Sequence, residues 1–236
     1  MRSAGLALLS ALLAVTAGAA DATCRLALVL ALDVSSSVDP IEDRQQRIGL
    51  AGALRDPQVQ AAFMASPDPV ALYAFEWSGK FDQVPLLPDW MMIASTRDLD
   101  QAAGLIASSP RSREDMPTAL GSALGHAVTM LRRGPNCLFR TIDVSADGPN
   151  NESFGPQSAY DAFPFEDVTV NALVIPSPGD NSIVRYYRDH VIRGPGSFVE
   201  IAQGYSDYGP AMRRKLLAEL SVQMLGSVQR EGTLPG

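Results

Sequence analysis

Residues 25–37 read RLALVLALDVSSS, and this stretch decides the fold. Its first part, residues 25–32, is apolar at nearly every position, which is typical of a strand buried on both faces of a parallel sheet. The polar residues that follow precede a helix start, with Asp39 as N-cap, Pro40 at the first helical position and Glu42 at the third. A buried strand, a polar loop and a capped helix therefore open the domain.

Apolar runs and helical stretches alternate through the rest of the chain. Further strands are expected at residues 70–75, 138–144, 168–175 and 197–202. Helices are expected from residue 40 to about 54 and near residues 99–107, 119–131, 183–192 and 210–229. Residues 81–87 are expected to pair with the 70–75 strand as a hairpin. This pattern predicts an α/β fold: a doubly wound, mostly parallel sheet with one antiparallel edge strand and helices on both faces.

The composition indicates one acidic globular domain. The chain has 236 residues, 46% of them hydrophobic, which is enough for a substantial core. It carries 19 Lys and Arg against 26 Asp and Glu, without the clustered basic face that binding to nucleic acid requires. The two His and two Cys match no zinc spacing, so any metal is expected to bind oxygen ligands.

The amino terminus predicts export. Arg2 precedes an almost uncharged run that ends in small residues at 17–20, which is typical of a signal peptide spanning residues 1–20. A membrane anchor is the alternative, but the run falls short of the roughly 20 apolar residues that a spanning helix needs. We expect no membrane span after cleavage, a periplasmic or secreted location, and a flexible tail at residues 231–236.

Three separated polar elements follow expected strands or precede an expected helix. Asp33, Ser35 and Ser37 form a D-x-S-x-S pattern after the first strand, Thr118 precedes the helix at 119–131, and Asp147 follows the strand at 138–144. Ligands of open α/β sheets bind beyond the carboxyl ends of the strands. A lone D-x-S-x-S is also explained by helix capping, because Ser and Asp are preferred at helix starts. The three elements together favour a site.

These elements resemble the metal-ion-dependent adhesion site of the von Willebrand factor type A domain. The resemblance extends from residue 25 to about residue 228, which gives a domain at residues 21–230. More narrowly, the chain resembles small exported bacterial type A proteins that carry a domain of unknown function. One departure is that Pro117, and not the Gly often found in the family, precedes Thr118.

The resemblance implies a divalent cation at Asp33, Ser35, Ser37, Thr118 and Asp147. Mg²⁺ and Mn²⁺ favour octahedral oxygen coordination, and Ca²⁺ tolerates a less regular site. Hydroxyl ligands are neutral, so the ion keeps positive charge and an open position. In the resembled family, an Asp or Glu carboxylate of a protein partner fills that position.

Cys24 and Cys137 are expected to form a disulfide far from this site. Cys24 lies nine residues before Asp33, and Cys137 lies ten before Asp147. Two strands whose aspartates meet at one end bring the sulfurs together at the other, since neighbouring strands lie about 4.8 Å apart. Two buried free thiols are the alternative.

The sequence therefore predicts an exported protein-binding module that acts through a metal, and not an enzyme. No nucleophile elbow, zinc-protease helix or phosphate-binding loop is present in the sequence. His126 and His190 are expected in packing or at the surface, and the acidic pair Glu42 and Asp43 is expected at the surface. The alternative function is a structural or assembly role in the cell envelope without metal-dependent binding.

Overall fold

The chain forms an α/β fold around a central sheet. A computed structural model describes residues 24–231, with side chains as far as residue 221. The predicted signal peptide, residues 1–20, lies outside the described residues, as does the predicted tail except for its first residue, Glu231. No helix within residues 24–231 is long and apolar enough to cross a membrane.

The helices and strands alternate along the chain as the sequence predicts. The strands are β1 (Cys24–Asp33), β2 (Val70–Trp77), β3 (Gln83–Pro85), β4 (Met91–Ile93), β5 (Cys137–Ala146), β6 (Val168–Val174) and β7 (Val199–Ile201). The helices are α1 (Pro40–Arg55), α2 (Pro57–Phe63), α3 (Thr96–Ser108), α4 (Leu120–Arg133), α5 (Pro156–Ala162), α6 (Ser182–His190) and α7 (Tyr208–Glu231). The seven strands form one sheet in the order β3-β2-β1-β5-β6-β7, and β4 also pairs with β2.

The sheet confirms the predicted doubly wound architecture. Strand β1 pairs in parallel with β2 and β5, and the parallel ladder continues through β6 to β7. The antiparallel edge consists of two short strands, since both β3 and β4 pair with β2. The sequence prediction identified the first of these but missed β4, along with the seven-residue helices α2 and α5.

Strand β1 is buried on both faces, as its apolar sequence predicts. Leu28 and Leu30 pack into the cluster that includes Leu50 of α1. Val29, which lies between them, faces the other side and packs into the cluster that includes Leu124 of α4. Because side chains alternate along a strand, β1 joins two separate cores and is held firmly at the centre of the sheet.

The register of β1 and β5 confirms the predicted disulfide. Cys24 and Cys137 are paired directly in the ladder, with Cα atoms 4.5 Å apart, and their sulfurs are bonded. At the other end of the same ladder, Leu32 pairs with Ser145. This register brings the ends of both strands, and the loops that follow them, to one edge of the sheet.

Candidate metal site

Asp33 is the buried end of β1. Its side chain accepts a hydrogen bond from the Ser35 backbone N–H at 2.8 Å through Oδ1, while its backbone oxygen accepts one from Gln46. The other carboxylate oxygen, Oδ2, is buried and has no hydrogen-bond partner among the described residues. Burial, and then the nearby charge of Asp147, raises the pKa of Asp33 to about 7. A carboxylate in this environment is poorly stabilised unless a cation lies beside it.

The hydroxyl side chains form a chain of hydrogen bonds that ends on Asp147. Thr118 Oγ1 donates to Ser35 Oγ at 3.1 Å, and the hydroxyls of Ser35 and Ser37 lie 3.2 Å apart. Ser37 Oγ then donates to Asp147 Oδ1 at 2.6 Å. Together with Asp33, which binds the Ser35 backbone, these contacts bring all five predicted residues into one cluster.

Thr118 reaches this cluster from the segment before α4. The next residue, Ala119, donates its backbone N–H to the oxygen of Ser78, just after β2. On the opposite side, Asn151 accepts from the Thr118 backbone N–H at 2.8 Å and lies 3.4 Å from its hydroxyl. The position of Thr118 is therefore set by the loops that follow β2 and β5, without the Gly often found before it.

Two residues that hydrogen-bond to Thr118 or Asp147 were missed by the sequence analysis. Asn151 fixes Thr118, as described, and Tyr205 donates its hydroxyl to Asp147 Oδ2 at 3.0 Å. Tyr205 belongs to a short 3₁₀ helix before α7, and burial raises the pKa of its hydroxyl, so it stays a donor. No local pattern marks either residue, because each reaches the cluster only through the folded arrangement of distant loops.

The donor set fits a hard divalent cation. Three hydroxyls and two carboxylates converge, all of them oxygen ligands, and one buried carboxylate oxygen has no partner among the described residues. Mg²⁺ keeps several waters and uses few carboxylates, and this set suits that preference. The described residues hold no group of three or more His, Cys, Asp and Glu suited to a metal.

Other titratable residues take part in packing. The His126 ring lies against Phe75 with centroids 4.7 Å apart. The expectation that Asp43 is surface-exposed was wrong: it is buried and bound to Arg47 at 2.9 Å. Arg47 also pairs with buried Glu76 of β2, so the charge of Asp43 belongs to an internal ion network.

The doubly wound sheet, with Asp33 at the carboxyl end of β1 and Asp147 just after β5, is a von Willebrand factor type A fold. Similar solved structures include proximal thread matrix protein 1 from the mussel byssus, with a zinc-occupied MIDAS motif (16% identity, TM-score 0.61, 85% of this chain and 49% of that one). A von Willebrand factor type A protein from Catenulispora acidiphila gives 17% identity and a TM-score of 0.52 over 82% of this chain and 42% of that one. The pilus adhesin SpaC from Lactobacillus rhamnosus GG gives 15% identity and a TM-score of 0.58 over 85% of this chain and 30% of that one.

The family of this chain is shown by comparing its sequence with family models. The model described as protein of unknown function (DUF1194) matches residues 23–224, and the chain belongs to this family. Comparison with curated proteins gives no match. The chain spans about half or less of the length of the solved proteins named above, and at these identities the likeness establishes the fold.

Proposed function

We propose that this protein is an exported binding module in which a divalent cation joins the site to an acidic residue of a protein partner. Asp33, Ser35, Ser37, Thr118 and Asp147 would hold Mg²⁺, or Mn²⁺ or Ca²⁺ in its place. When bound there, such a cation would supply an electrophilic position that attracts a carboxylate. The observation that carries the proposal is the convergence of these five residues in one cluster, in which the buried Oδ2 of Asp33 has no hydrogen-bond partner among the described residues.

The charge balance of the protein supports a metal-mediated contact. The chain has a net charge of −7, so an acidic partner surface is repelled unless a cation lies between the two. Similar folds also occur in a pilus adhesin and in a protein with a zinc-occupied MIDAS motif. These two neighbours support adhesion and divalent-metal binding as functions of this type of site, and the former supports a location outside the cytoplasm.

We propose binding without catalysis. A hydrolytic site needs a general base positioned beside the nucleophile or the metal-bound water. His126 packs on Phe75, and the His190 ring lies against Tyr186. Among the described residues, neither His makes a hydrogen bond to a hydroxyl of the cluster, which favours a role in binding for Ser35 and Ser37.

Partner capture tests this function. Immobilised wild-type protein and the Asp33→Ala variant are exposed to cell-envelope extract with Mn²⁺ or with a chelator. The proposal predicts proteins that the wild type retains only with Mn²⁺ and that the variant does not retain. A synthetic peptide of the captured region, with its Asp or Glu changed to Asn or Gln, should lose binding. Equal capture by both proteins in chelator would contradict the proposal.

That contrary result would favour a second candidate, assembly through a face away from the cluster. One observation supports it: α1 and α7 enclose an apolar groove of about 450 Å³. Gly49 and Gly209, where the two helices approach closely, line this groove. They also line an adjoining pocket, whose wall includes the half-exposed Ile48. In that case Ile48→Asp, and not Asp33→Ala, should abolish capture.

A further inference from the structure

We propose that Arg111 is the positioning residue of the metal site, and that its guanidinium orients the loop of residues 34–38 by holding the backbone carbonyls. The inference rests on the function proposed above for that loop. It concerns a side chain that offers no ligand atom to a cation, because Arg has only N–H donors.

Among the described residues, the Arg111 side chain donates its hydrogen bonds to backbone oxygens. Its Nη1 donates to Val38 at 2.6 Å, and its Nη2 donates to Val34 at 2.8 Å and to Ser35 at 3.2 Å. Its Nε donates to the oxygen of Arg113 at 2.7 Å, within its own segment. One side chain therefore binds three carbonyls of the loop of residues 34–38 from a segment more than 70 residues away.

Holding these carbonyls also fixes the N–H groups that follow them. In a trans peptide the carbonyl and the next N–H point in opposite directions. The Val34 carbonyl points to Arg111, so the Ser35 N–H points away from it, where it donates to Asp33 Oδ1 at 2.8 Å. Likewise the Ser35 carbonyl points to Arg111, and the N–H of Ser36 donates to the oxygen of Met116 at 2.8 Å. Arg111 thereby orients the backbone on which the ligand hydroxyls are carried.

Arg111 is itself held by the buried core. The backbone N–H of the next residue, Ser112, donates to Glu76 Oε1 at 2.7 Å. Glu76 is buried at the end of β2 and paired with Arg47, which also binds Asp43. The position of Arg111 therefore depends on the ion network under the sheet edge, and the loop is fixed to that network through it.

Lysine cannot reproduce this arrangement. A guanidinium is planar and presents its donors in a rigid fork, whereas an ammonium is a compact charge on a flexible stem. Arg111→Lys keeps the positive charge but cannot span the three carbonyls. Arg111→Gln removes the charge as well. If Arg111 acts by orienting the loop, both variants should weaken metal binding. If it acts only through its charge near Asp33 and Asp147, Arg111→Lys should bind metal as the wild type does.

Two measurements test the proposal. Titration calorimetry with Mg²⁺ should show about 10- to 100-fold weaker binding in both Arg111→Lys and Arg111→Gln, as is common when a residue that orients metal ligands is lost. Hydrogen exchange without metal should show faster exchange of the Ser35 and Ser36 amides in both variants, with the amides of residues 26–32 in β1 unchanged. The β1 amides report whether a variant has lost global stability instead.

The matched controls are Arg44→Lys and Arg44→Gln. Arg44 lies on α1, close in sequence to the loop, but it is exposed and has no ion pair among the described residues. Both controls should bind Mg²⁺ and exchange amides as the wild type does. Wild-type affinity and loop exchange in Arg111→Lys would overturn the proposal, since charge alone would then suffice.

Failure of this inference differs from failure of the proposed function. If Asp33→Ala abolishes Mg²⁺ binding while both Arg111 variants bind as the wild type does, Arg111 is not a positioning residue and the metal site stands. If the wild-type protein binds no Mg²⁺, Mn²⁺ or Ca²⁺, the proposed function fails, and the positioning role for a metal site fails with it.

Discussion

Ser37 Oγ donates a hydrogen bond to Asp147 Oδ1 at 2.6 Å, although 110 residues separate the two in sequence. The contact joins the loop after β1 to the loop after β5, which are neighbouring strands of the sheet. A cation bound at the proposed site would meet side chains that already lie together, so little ordering of the chain would oppose its binding. The hydrogen bonds among these residues would therefore prepare the proposed site for a metal.

Thr118 offers a test of one hydroxyl. Thr118→Val keeps the shape of the side chain but removes the oxygen that contacts Ser35 Oγ at 3.1 Å. We expect at least about a tenfold loss of Mg²⁺ affinity, about 1.4 kcal/mol, by calorimetry. Thr118→Ser keeps the hydroxyl and should bind nearly as the wild type does. Equal affinity in the Val variant would remove Thr118 from the ligand set.

The disulfide should stabilise the fold without affecting the metal site. The bond between Cys24 and Cys137 spans 113 residues of sequence, and its loss should lower the free energy of unfolding by about 4 to 5 kcal/mol. We expect this loss in the double variant Cys24→Ala, Cys137→Ala by urea denaturation. Mg²⁺ affinity should be unchanged, because the ten-residue strand β1 separates the bond from Asp33.

A reductant provides the control for that experiment. It should destabilise the wild type by a similar amount and leave the double variant unaffected. A double variant with much weaker Mg²⁺ binding, measured where it is fully folded, would contradict the separation of crosslink and site.

Two helical glycines should respond oppositely to Ala. A Cβ added at Gly121 in α4 would lie 2.1 Å from the backbone oxygen of Phe154, so Gly121→Ala should lower stability by about 1 to 3 kcal/mol. A Cβ at Gly52 in α1 meets nothing within 4 Å, and Gly52→Ala should raise stability by up to about 1 kcal/mol through helix propensity. Thermal unfolding of both variants checks this. A stabilised Gly121→Ala would mean that the loop carrying Phe154 moves freely away from α4.

A buried ion group beneath α7 should make stability depend on pH. Lys215 lies between Asp143 and Glu219, at 2.7 and 2.6 Å, and all three side chains are buried. Burial raises the pKa of Asp143 from 3.8 to about 7. The positive charge of Lys215 opposes this rise, and the negative charge of Glu219 adds to it. Between about pH 4 and 7 the folded protein therefore keeps a proton that the unfolded chain has released. Raising the pH through this range should lower the free energy of unfolding.

Asp143→Asn isolates that contribution. The variant leaves Lys215 paired with Glu219 and removes the group that titrates. The free energy of unfolding in urea is measured for both proteins, and the variant's value minus the wild type's should increase as the pH rises from about 4 to about 7. Parallel curves for the two proteins over this range would show that Asp143 does not hold the proton.

The strand and its loop could be predicted because their signals are local. An apolar run ending in D-x-S-x-S, followed by Asp39 as the N-cap, specifies β1 and α1 without distant contacts. Helix α2 begins with the same signal, since Asp56 caps it before Pro57, but only seven residues follow before it ends. A helix this short is stabilised by tertiary packing more than by its own sequence pattern.

The surroundings of the site could not be predicted in the same way. Arg111 and Asn151 lie in irregular segments, and their importance arises from which backbone groups face them after folding. The five proposed ligand residues were themselves predicted through resemblance to a known pattern. Asp43 shows the limit of composition-based reasoning, because its neighbour four residues on, Arg47, makes burial of its charge possible.

The most direct test of the central claim is thermal unfolding of the wild type and of Asp33→Ala, each with and without Mg²⁺, Mn²⁺ or Ca²⁺. A cation present at 100 times its dissociation constant should stabilise the wild type by about 2.7 kcal/mol, because it binds only the folded chain. The account predicts this shift in the wild type and its loss in Asp33→Ala. The same response in both proteins, or no response in either, would contradict a metal site at Asp33.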